Sequence, residues 1–310
     1  MVVIPEPASL SPTPMPDNPQ TSNAPWFSLY DHRLVVLQGR DAVAFAQAQT
    51  MNDVAALLDG EWHWNGWLTP KGRVIALFAL IRIDTDTLWM VVPDADADVL
   101  VERLRRFVFR SKVSLAVRDD LHVAGRLRAS DLASGNHWAG DPATAIELDL
   151  SGDLDPGHAG RSLRLGPATG AGRDAAGIEA WRRADLEHGW PRLDATQSEQ
   201  WTPQQLSLDR LRAYSVKKGC YPGQEIVART HFLGQAKRGL GLVRATELLA
   251  PGDGLSVSDT TVGTVVSAAG DVALAVMSLE SAVAGPENDE SPAGGGASWV
   301  RMPMRGGLVR

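Results

Sequence analysis

The 310-residue sequence contains one cysteine, Cys220, and this scarcity excludes two classes of site. A single thiol cannot form a disulfide within the chain, and it cannot supply the four thiolates that an iron–sulfur cluster normally takes from a protein. No Cys/His pair has the spacing of metal ligands. We therefore expect a reducing compartment, and a metal cluster at Cys220 only if a partner protein supplies the other ligands.

The sequence also lacks the features of a membrane or exported protein. No apolar run approaches the roughly 20 residues of a spanning helix, and residues 1–20 have neither the basic start nor the apolar block of a signal peptide. We expect a cytoplasmic protein. The hydrophobic fraction of 44% and the charged fraction of 22% are typical of a globular chain, and its length suffices for two or three domains.

Positive charge is outnumbered overall but concentrated around Cys220. The formal net charge is −7, yet residues 210–238 carry 7 Lys or Arg side chains and one carboxylate, Glu225. Cations near a thiol lower its pKa and favour the thiolate, the form that attacks electrophiles or binds metal. The charge pattern therefore makes Cys220 a candidate reactive thiol.

Two glycines and a proline lie within the stretch 217–230 around Cys220. Gly219, Pro222 and Gly223 favour tight turns, so we interpret this stretch as a loop that brings backbone amides close to the thiol. Residue chemistry alone leaves two roles open for Cys220. It is either a small, buried, inert side chain, the commoner case for a lone cysteine, or a reactive group.

The pattern before residue 112 alternates strands and helices, which predicts an α+β layer. Residues 1–25, rich in proline, serine and asparagine, are typical of a disordered tail. We expect a strand at 33–38, a helix at 42–49 capped by Asp41, a hairpin of 61–67 with 73–82, and a strand at 88–92. A helix capped by Asp94 should follow, with an apolar face made of Leu100, Leu104, Phe107 and Val108.

The remaining chain predicts a second α+β unit and a β-rich C-terminal part. Residues 113–170 alternate short strands with turns, and 177–188 indicate a helix stopped by Gly189. Residues 202–205 form a capping box, so a helix carrying Leu206 and Leu211 is expected to lead into the cysteine loop. From residue 239, short strands predict a small β-barrel with a mobile loop at 281–297.

The sequence around the cysteine resembles the signature of a known family. Residues 218–225 read Lys-Gly-Cys-Tyr-Pro-Gly-Gln-Glu and continue as Ile-Val-Ala-Arg. This motif resembles that of the YgfZ family of folate-binding proteins, relatives of the glycine cleavage T-protein linked to iron–sulfur enzyme maturation and tRNA modification. Similar segments occur at 39–53, 69–73, 181–191 and 202–209, so that the resemblance covers roughly residues 30–240.

The resemblance implies an α+β, T-protein-like (aminomethyltransferase folate-binding) fold, with two α+β units around a central cavity and a small C-terminal β-barrel. We accordingly divide the chain into a disordered tail 1–25, a first unit 26–118, a second unit 119–236 that contains the cysteine motif, and the barrel 237–310. The cofactor implied is tetrahydrofolate or another reduced folate.

Two residues are implicated in folate binding by the resemblance. Trp181 lies where the family places a folate-stacking tryptophan, and His32 stands where a second such tryptophan is expected. Indole faces stack well on flat heteroaromatic rings such as a pterin. Ordinary core packing is the alternative role for Trp181, and His32 could stack or hydrogen-bond in place of the missing indole.

The cysteine motif supplies the other candidate site residues. Lys218 and Arg229 would hold anionic groups, such as the glutamate tail of a folate, and Cys220 would be the reactive thiol. Gln224 and Glu225 would position the loop or bond the ligand, or else serve as a plain turn-to-strand connection. The same positive field would attract an RNA phosphate, so that charge alone does not separate these partners.

The resemblance implies an accessory protein for assembly or repair of iron–sulfur enzymes, including those that modify tRNA. T-protein relatives use an aspartate after a Gly-Gly hairpin turn, whereas residues 71–76 contain no carboxylate. An aliphatic side chain cannot take part in proton transfer, so we expect the aminomethyl transfer reaction to be lost. The partners implied are iron–sulfur enzymes or assembly factors.

Other functions remain open. The chain could be an active tetrahydrofolate-dependent one-carbon transferase, an RNA- or protein-binding module without folate, or a thiol hydrolase that pairs Cys220 with His188 or His231. Direct tRNA binding is the weaker hypothesis because no aromatic-rich RNA-binding signature is present. Four arginines near the predicted second helix form either a solvated face or a ligand or RNA contact: Arg103, Arg105, Arg106 and Arg110.

Overall fold

The computed structural model describes residues 24–151, 160–167, 169–234, 236–257, 260–279, 298–306 and 308–309. In these ranges the chain forms three five-stranded antiparallel sheets with helices packed beside them. The tail predicted at the N-terminus, up to residue 23, and the loop predicted at 281–297 lie outside the described residues. No helix in the described ranges combines the length and the apolar character needed to span a bilayer.

The first sheet comes from the N-terminal part of the chain. The elements up to residue 117 are β1 (Phe27–Ser28), β2 (His32–Gln38), α1 (Ala42–Gln49), β3 (Trp62–Leu68), β4 (Val74–Asp84), β5 (Thr87–Pro93), α2 (Ala97–Arg105) and β6 (Ser114–Val117). The sheet order is β3-β4-β5-β2-β6, and α1 has the predicted bounds. Asp41 precedes α1 without capping it, because its carboxylate accepts a hydrogen bond from Lys112 N at 2.6 Å.

Strand β4 is buried on both faces, which explains its nearly continuous apolar sequence. Leu77, Ala79 and Ile81 pack into the central core of the molecule, whereas Phe78 and Leu80 pack into a separate core beneath α1 and α2. Because side chains alternate along a strand, this sheet separates the two helices from the central core. The central core is the one that contains the tryptophans described below.

The cap of α2 differs from the prediction. Asp96, and not Asp94, caps the helix, since its carboxylate accepts two hydrogen bonds of 3.0 Å from first-turn amides. Asp94 has a left-handed φ of 65° and turns its carboxylate to Arg192, with an N–O distance of 2.7 Å. The helix ends at Arg105, so Phe107 lies in the following turn, where it is 40% exposed.

The second sheet and the helix after it follow the predicted pattern. The elements are β7 (His122–Arg126), β8 (Ala139–Asp141), β9 (Ala145–Asp149), β10 (Ser162–Gly166) and α3 (Ala175–Glu187), and the sheet order is β1-β7-β10-β9-β8. Asp174 caps α3 by accepting a 3.0 Å hydrogen bond from Gly177 N. Gly189 ends the helical path with a φ of 76°, as expected for a glycine after a helix.

The capping box at Thr202 forms, but no α-helix follows it. Thr202 N donates to Gln205 Oε1 at 3.0 Å, and Gln205 N donates to Thr202 Oγ1 at 3.3 Å. The chain then makes turns and a short 3-10 helix, Leu208–Leu211, bounded by Ser207 and Arg212 in left-handed conformations. Because positive φ at these two positions interrupts right-handed helical geometry, the predicted helix through Leu206 and Leu211 is wrong.

The second half of the cysteine motif is helical. Helix α4 (Gln224–Leu233) begins directly after Gly223, which is the N-cap with a φ of 81°. No side chain caps this helix, so the usual sequence signal for a helix start is missing. The loop interpretation is therefore right up to residue 223 and wrong for 224–230, and Gln224 and Glu225 do not form a turn-to-strand connection.

The third sheet is a half-barrel. Its strands are β11 (Arg238–Ala245), β12 (Gly254–Val257), β13 (Thr260–Ala269), β14 (Val272–Ser278) and β15 (Trp299–Met302), in the order β12-β13-β14-β11-β15. Register shifts at 255–256 and 265–267 mark irregularities that bend and twist such a sheet. The chain then returns from β15 to the central core, where Leu308 is buried.

Candidate functional site

A buried cavity of about 20 Å³ lies where three tryptophan side chains meet. Trp64 is on β3, Trp181 is on α3, and Trp190 follows α3. The rings of Trp64 and Trp190 are 4.1 Å apart between centroids, and Trp181 is 1% exposed. His32, at the start of β2, also lines the cavity. The structure thus brings together Trp181 and His32, the two residues that the sequence suggested for pterin contact.

An ion-pair network lies behind His32 and Asp185, the two polar residues that line this cavity. His32 Nδ1 lies 2.8 Å from the carboxylate of Asp31, which also accepts a 2.8 Å hydrogen bond from Arg192. Arg192 is buried and donates to Asp94 at 2.7 Å and to Asp185 at 3.1 Å. Burial alone would raise the pKa of Asp31, but the hydrogen bond with His32 and the charge of Arg192 hold that pKa well below its usual range. Asp31 is therefore ionised at neutral pH and fixes the position of His32.

Arg161 carries buried N–H groups that have no partner among the described residues. The side chain is 3% exposed, and its guanidinium carbon lies 4.6 Å from the ring centroid of Trp181. Nη1 donates to Asp185 at 2.7 Å, whereas Nε and Nη2 have no hydrogen-bond partner in the described part of the chain. An unpaired buried donor costs roughly 1–3 kcal/mol, and no described residue offsets that cost for these two groups. No sequence pattern pointed to Arg161.

Cys220 is exposed, so the expectation that a lone cysteine is buried is wrong for this residue. The neighbouring Lys218 is buried, and its ammonium group donates to the carbonyl oxygens of Thr50 at 2.6 Å and Asn52 at 2.8 Å. Burial lowers the pKa of Lys218 to about 8, an effect that the charge of Asp53 opposes. The lysine therefore anchors the loop to the end of α1 and leaves the thiol facing solvent.

Further contacts fix the shape of the loop. Gln224 Nε2 donates to the carbonyl oxygen of Lys218 at 3.0 Å, and the buried Tyr221 donates to that of Ser215 at 3.1 Å. Gly223 packs so closely on the β3–β4 turn that an added Cβ would lie 2.6 Å from the carbonyl oxygen of Thr69. The loop is thus held on both sides of Cys220.

An open groove of about 700 Å³ adjoins the cysteine loop and is lined by polar and apolar side chains, including Lys217, His231 and Trp62. His63 lies at its inner wall, and burial together with the charge of Lys218 lowers the pKa of His63 to about 3. His63 is therefore neutral at physiological pH. Neither Cys220 nor Trp181 lines this groove.

The predicted site residues fall into two groups. Trp181 and His32 line the tryptophan cavity. The other candidates lie on the cysteine loop and α4. Among them, Glu225 and Arg229 are exposed, and Lys218 is hydrogen-bonded to backbone carbonyl oxygens. The second group is Cys220, Lys218, Gln224, Glu225 and Arg229. Within the described ranges, no group of three or more His, Cys, Asp or Glu side chains is arranged to hold a metal ion.

A solved structure resembles the whole fold. The crystal structure of glycine cleavage system aminomethyltransferase T from Bartonella henselae matches with a TM-score of 0.69 over 93% of this chain and 89% of that chain. The sequence identity is 15%. This likeness confirms the predicted aminomethyltransferase T-protein fold, with mixed α/β content.

Sequence relatives identify the family, although no protein-family model matches the chain. The chain is 30% identical over 257 residues to the tRNA-modifying protein YgfZ of Klebsiella pneumoniae strain 342, covering 77% of this chain and 78% of the relative. It is 29% identical over 264 residues to the tRNA-modifying protein YgfZ of Escherichia coli O157:H7. An uncharacterized protein of Haemophilus influenzae is 27% identical over 216 residues. Because the chain is 30% identical to the Klebsiella pneumoniae protein over 77% of this chain and 78% of that protein, it belongs to the YgfZ family.

Proposed function

We propose that this protein binds a reduced folate, tetrahydrofolate or a close derivative, and supports assembly or repair of iron–sulfur enzymes, including enzymes that modify tRNA. The observation that carries the folate proposal is the meeting of Trp181, His32, Trp64 and Trp190 at one buried cavity. Indole faces are favourable surfaces for a pterin ring. The name of the relatives, tRNA-modifying protein, supports the tRNA part of the proposal.

The groups that line the cavity suit a pterin, but the cavity is too small to hold one. Asp185 and the fixed His32 line the cavity and offer hydrogen-bonding groups beside the indoles. A volume of about 20 Å³ holds about one water molecule, whereas ligand sites usually measure roughly 300–1,000 Å³. Binding therefore requires the tryptophan cluster to open. When bound, the folate would supply a reduced pterin that carries one-carbon units.

Cys220 performs a separate task in this proposal. Its thiol is exposed on a loop whose neighbours are fixed by Lys218, Tyr221 and Gln224. A rigidly held, accessible thiol is suited to attack an electrophile or to provide one ligand to a cluster held mainly by a client protein. The cavity binds the folate, and the loop presents the thiol to the client.

The test is calorimetric titration of tetrahydrofolate into the wild type, Trp181→Ala and Cys220→Ala under reducing, anaerobic conditions. We expect binding to be lost in Trp181→Ala and retained in Cys220→Ala. Trp138→Ala is the matched control, because Trp138 is partly buried and does not line the cavity. Absence of binding to the wild type would contradict the folate proposal. Formation of a one-carbon product from tetrahydrofolate and a methylamine-type donor would replace the accessory role with a transferase.

A further inference from the structure

The open groove beside the cysteine loop, which we call the His63 groove, has the size of a ligand site. Its volume is about 700 Å³, and sites for small molecules usually measure roughly 300–1,000 Å³. The groove and the tryptophan cavity share no lining residue. A ligand in the His63 groove is therefore distinct from the folate proposed for the cavity.

Hydrogen bonds fix which nitrogen of His63 carries the proton. Asn65 Oδ1 accepts hydrogen bonds from the backbone amides of Asn52 at 2.9 Å and Gly66 at 2.8 Å. The other amide atom, Asn65 Nδ2, lies 3.2 Å from His63 Nε2. Because an amide nitrogen donates and does not accept, Nε2 is the acceptor and the neutral ring is protonated at Nδ1.

This Nδ1–H group is a buried donor that opens only to the groove. His63 is 7% exposed and lines the groove. Within the described ranges its Nδ1 has no hydrogen-bond partner, and it is not among the unpaired atoms that are sealed from solvent. A buried donor without a partner is unfavourable, so an acceptor atom of a ligand is favoured at the inner wall.

Two cations without ion-pair partners lie at the rim of the groove. Arg212 and Lys217 are exposed and line it, and neither forms a salt bridge with a residue that the structure describes. Arg212 has a left-handed φ of 51°, which is unfavourable for a residue with a side chain. Unpaired cations at the mouth of a groove attract an anion such as a phosphate.

Two carboxylates disfavour an anion deeper in the groove. Asp53 and Glu61 also line it and are less exposed than the rim cations. Asp53 accepts a hydrogen bond from Gln47 Nε2 at 3.0 Å, and Glu61 accepts one from Leu58 N at 2.8 Å. Each carboxylate can accept further N–H groups. The inner groove therefore suits a neutral group that has both acceptors and N–H donors, whereas the rim suits an anion.

Tyr214 adds an aromatic surface to the groove. Its side chain is half-buried and lines the groove, and its hydroxyl group has no hydrogen-bond partner in the part of the chain that the structure describes. Burial, with the charge of Asp209, raises the pKa of Tyr214 to about 12, so the phenol is neutral. Bases of single-stranded nucleic acids stack on aromatic side chains of this kind.

We propose that the His63 groove binds one nucleotide of a single-stranded RNA, with the base between Tyr214 and His63 and the phosphates at Arg212 and Lys217. A base is flat and neutral and carries both acceptors and N–H donors, so it matches the inner wall. The inference rests on the proposed function, in which RNA is what the client enzymes modify. It adds a surface by which this chain itself contacts the RNA, three residues from Cys220 in the sequence.

The test is fluorescence anisotropy on the full chain with fluorescein-labelled hexauridylate and no folate. The probe control is a hexamer with the same phosphates and an abasic spacer in place of each base. We expect the abasic hexamer to bind about tenfold more weakly, because it lacks base stacking. Tyr214→Ala should weaken hexauridylate binding by a similar factor and leave binding of the abasic hexamer unchanged. His63→Phe should act in the same direction, and Tyr214→Ala decides the question if His63→Phe does not fold.

Lys217→Gln tests the phosphate contact. It should weaken binding of both hexamers and reduce the slope of log K against log salt concentration by about 0.7, the value for one phosphate contact on a single strand. Lys112→Gln and Tyr30→Ala are the matched controls, because both residues are exposed and lie outside the groove. We expect less than a twofold effect from either control.

Several results would overturn the inference. Equal binding of the two hexamers, or equal effects of groove and control variants, would exclude a nucleotide in the groove. A hexaglutamate peptide that displaces hexauridylate at equal concentration would show that charge alone is recognised. Tighter binding of uridine 5′-monophosphate than of hexauridylate would assign the groove to a free nucleotide. Tetrahydrofolate binding without hexauridylate binding would reject this inference alone, and the reverse result would reject the folate proposal alone.

Discussion

The ammonium nitrogen of Lys218 lies 2.6 Å from the carbonyl oxygen of Thr50, the residue at which α1 ends. A cation at a helix C-terminus is favoured by the unpaired carbonyl groups there. The basic residue beside Cys220 therefore serves the backbone of the first unit instead of the thiol itself. This contact joins two segments that are far apart in the sequence and fixes the position of the cysteine loop.

Replacement of Lys218 should destabilise the protein. Lys218→Met leaves the buried carbonyl oxygens of Thr50 and Asn52 without this donor, so we expect the free energy of unfolding to fall by about 1–3 kcal/mol. Urea denaturation measures the change. The control is Lys217→Met, at an exposed position, where a change within about 0.5 kcal/mol is expected. Equal effects at the two positions would mean that the anchor contributes nothing.

The stability contributed by Lys218 should depend on pH. Its pKa is lowered to about 8 in the folded protein from 10.5 for the free group, so between these values the unfolded chain binds more protons. Stability from this group therefore rises with pH across that window. We expect the difference in unfolding free energy between wild type and Lys218→Met to grow by about 1–3 kcal/mol from pH 7.5 to pH 10. A difference that is constant with pH would show that burial does not perturb this amine.

Alanine substitution at Gly219 and at Gly223, the glycines on either side of Cys220, should have different effects on stability. At Gly223 a Cβ would lie 2.6 Å from Thr69 O and 2.7 Å from Gly72 Cα, and the residue has a φ of 81°. We expect Gly223→Ala to cost about 2 kcal/mol or more, from left-handed strain and backbone overlap. A Cβ added at Gly219 would have no atom within 4 Å. Gly219→Ala should therefore lower the free energy of unfolding by less than about 0.5 kcal/mol. Thermal denaturation of the two variants gives the comparison, and similar melting temperatures would contradict it.

Replacement of Arg192, the cation at the centre of the ion-pair network behind His32, should lower the free energy of unfolding. Arg192→Met leaves the carboxylates of Asp31, Asp94 and Asp185 close together without their shared partner, and breaking a buried ion pair costs about 3–5 kcal/mol. Arg33→Met is the control, since it removes only an exposed pair with Asp119 and should change stability by less than about 1 kcal/mol. Chemical denaturation at pH 7 decides between these values. An unfolding free energy near that of the control variant would show that the network is not structural.

Much of the fold could be predicted from local sequence pattern. The helix at 42–49 and the hairpin around residues 69–72 lie where the sequence indicates. Helix α4 was missed because Gly223 begins it without any capping side chain. The helix expected after Thr202 was interrupted by left-handed residues whose conformation is set by tertiary contacts and not by residue type.

The candidate site was predictable only where a motif marked it. Cys220 and Trp181 stand in recognisable motifs, and the meeting of Trp181 with His32 follows from the fold. Arg161 and Arg192 were missed because their roles depend on partners distant in the sequence, such as Asp31 for Arg192. A single sequence shows a buried charge network as scattered arginines and aspartates, which are usually surface residues.

The hydrogen bond from Trp64 Nε1 to the carbonyl oxygen of Leu308, at 2.6 Å, bears on how the protein is made. Leu308 is translated after every strand described above, and yet it holds a ring that lines the tryptophan cavity. On the ribosome, the indole N–H of Trp64 therefore lacks this acceptor until β15 and the segment after it have emerged.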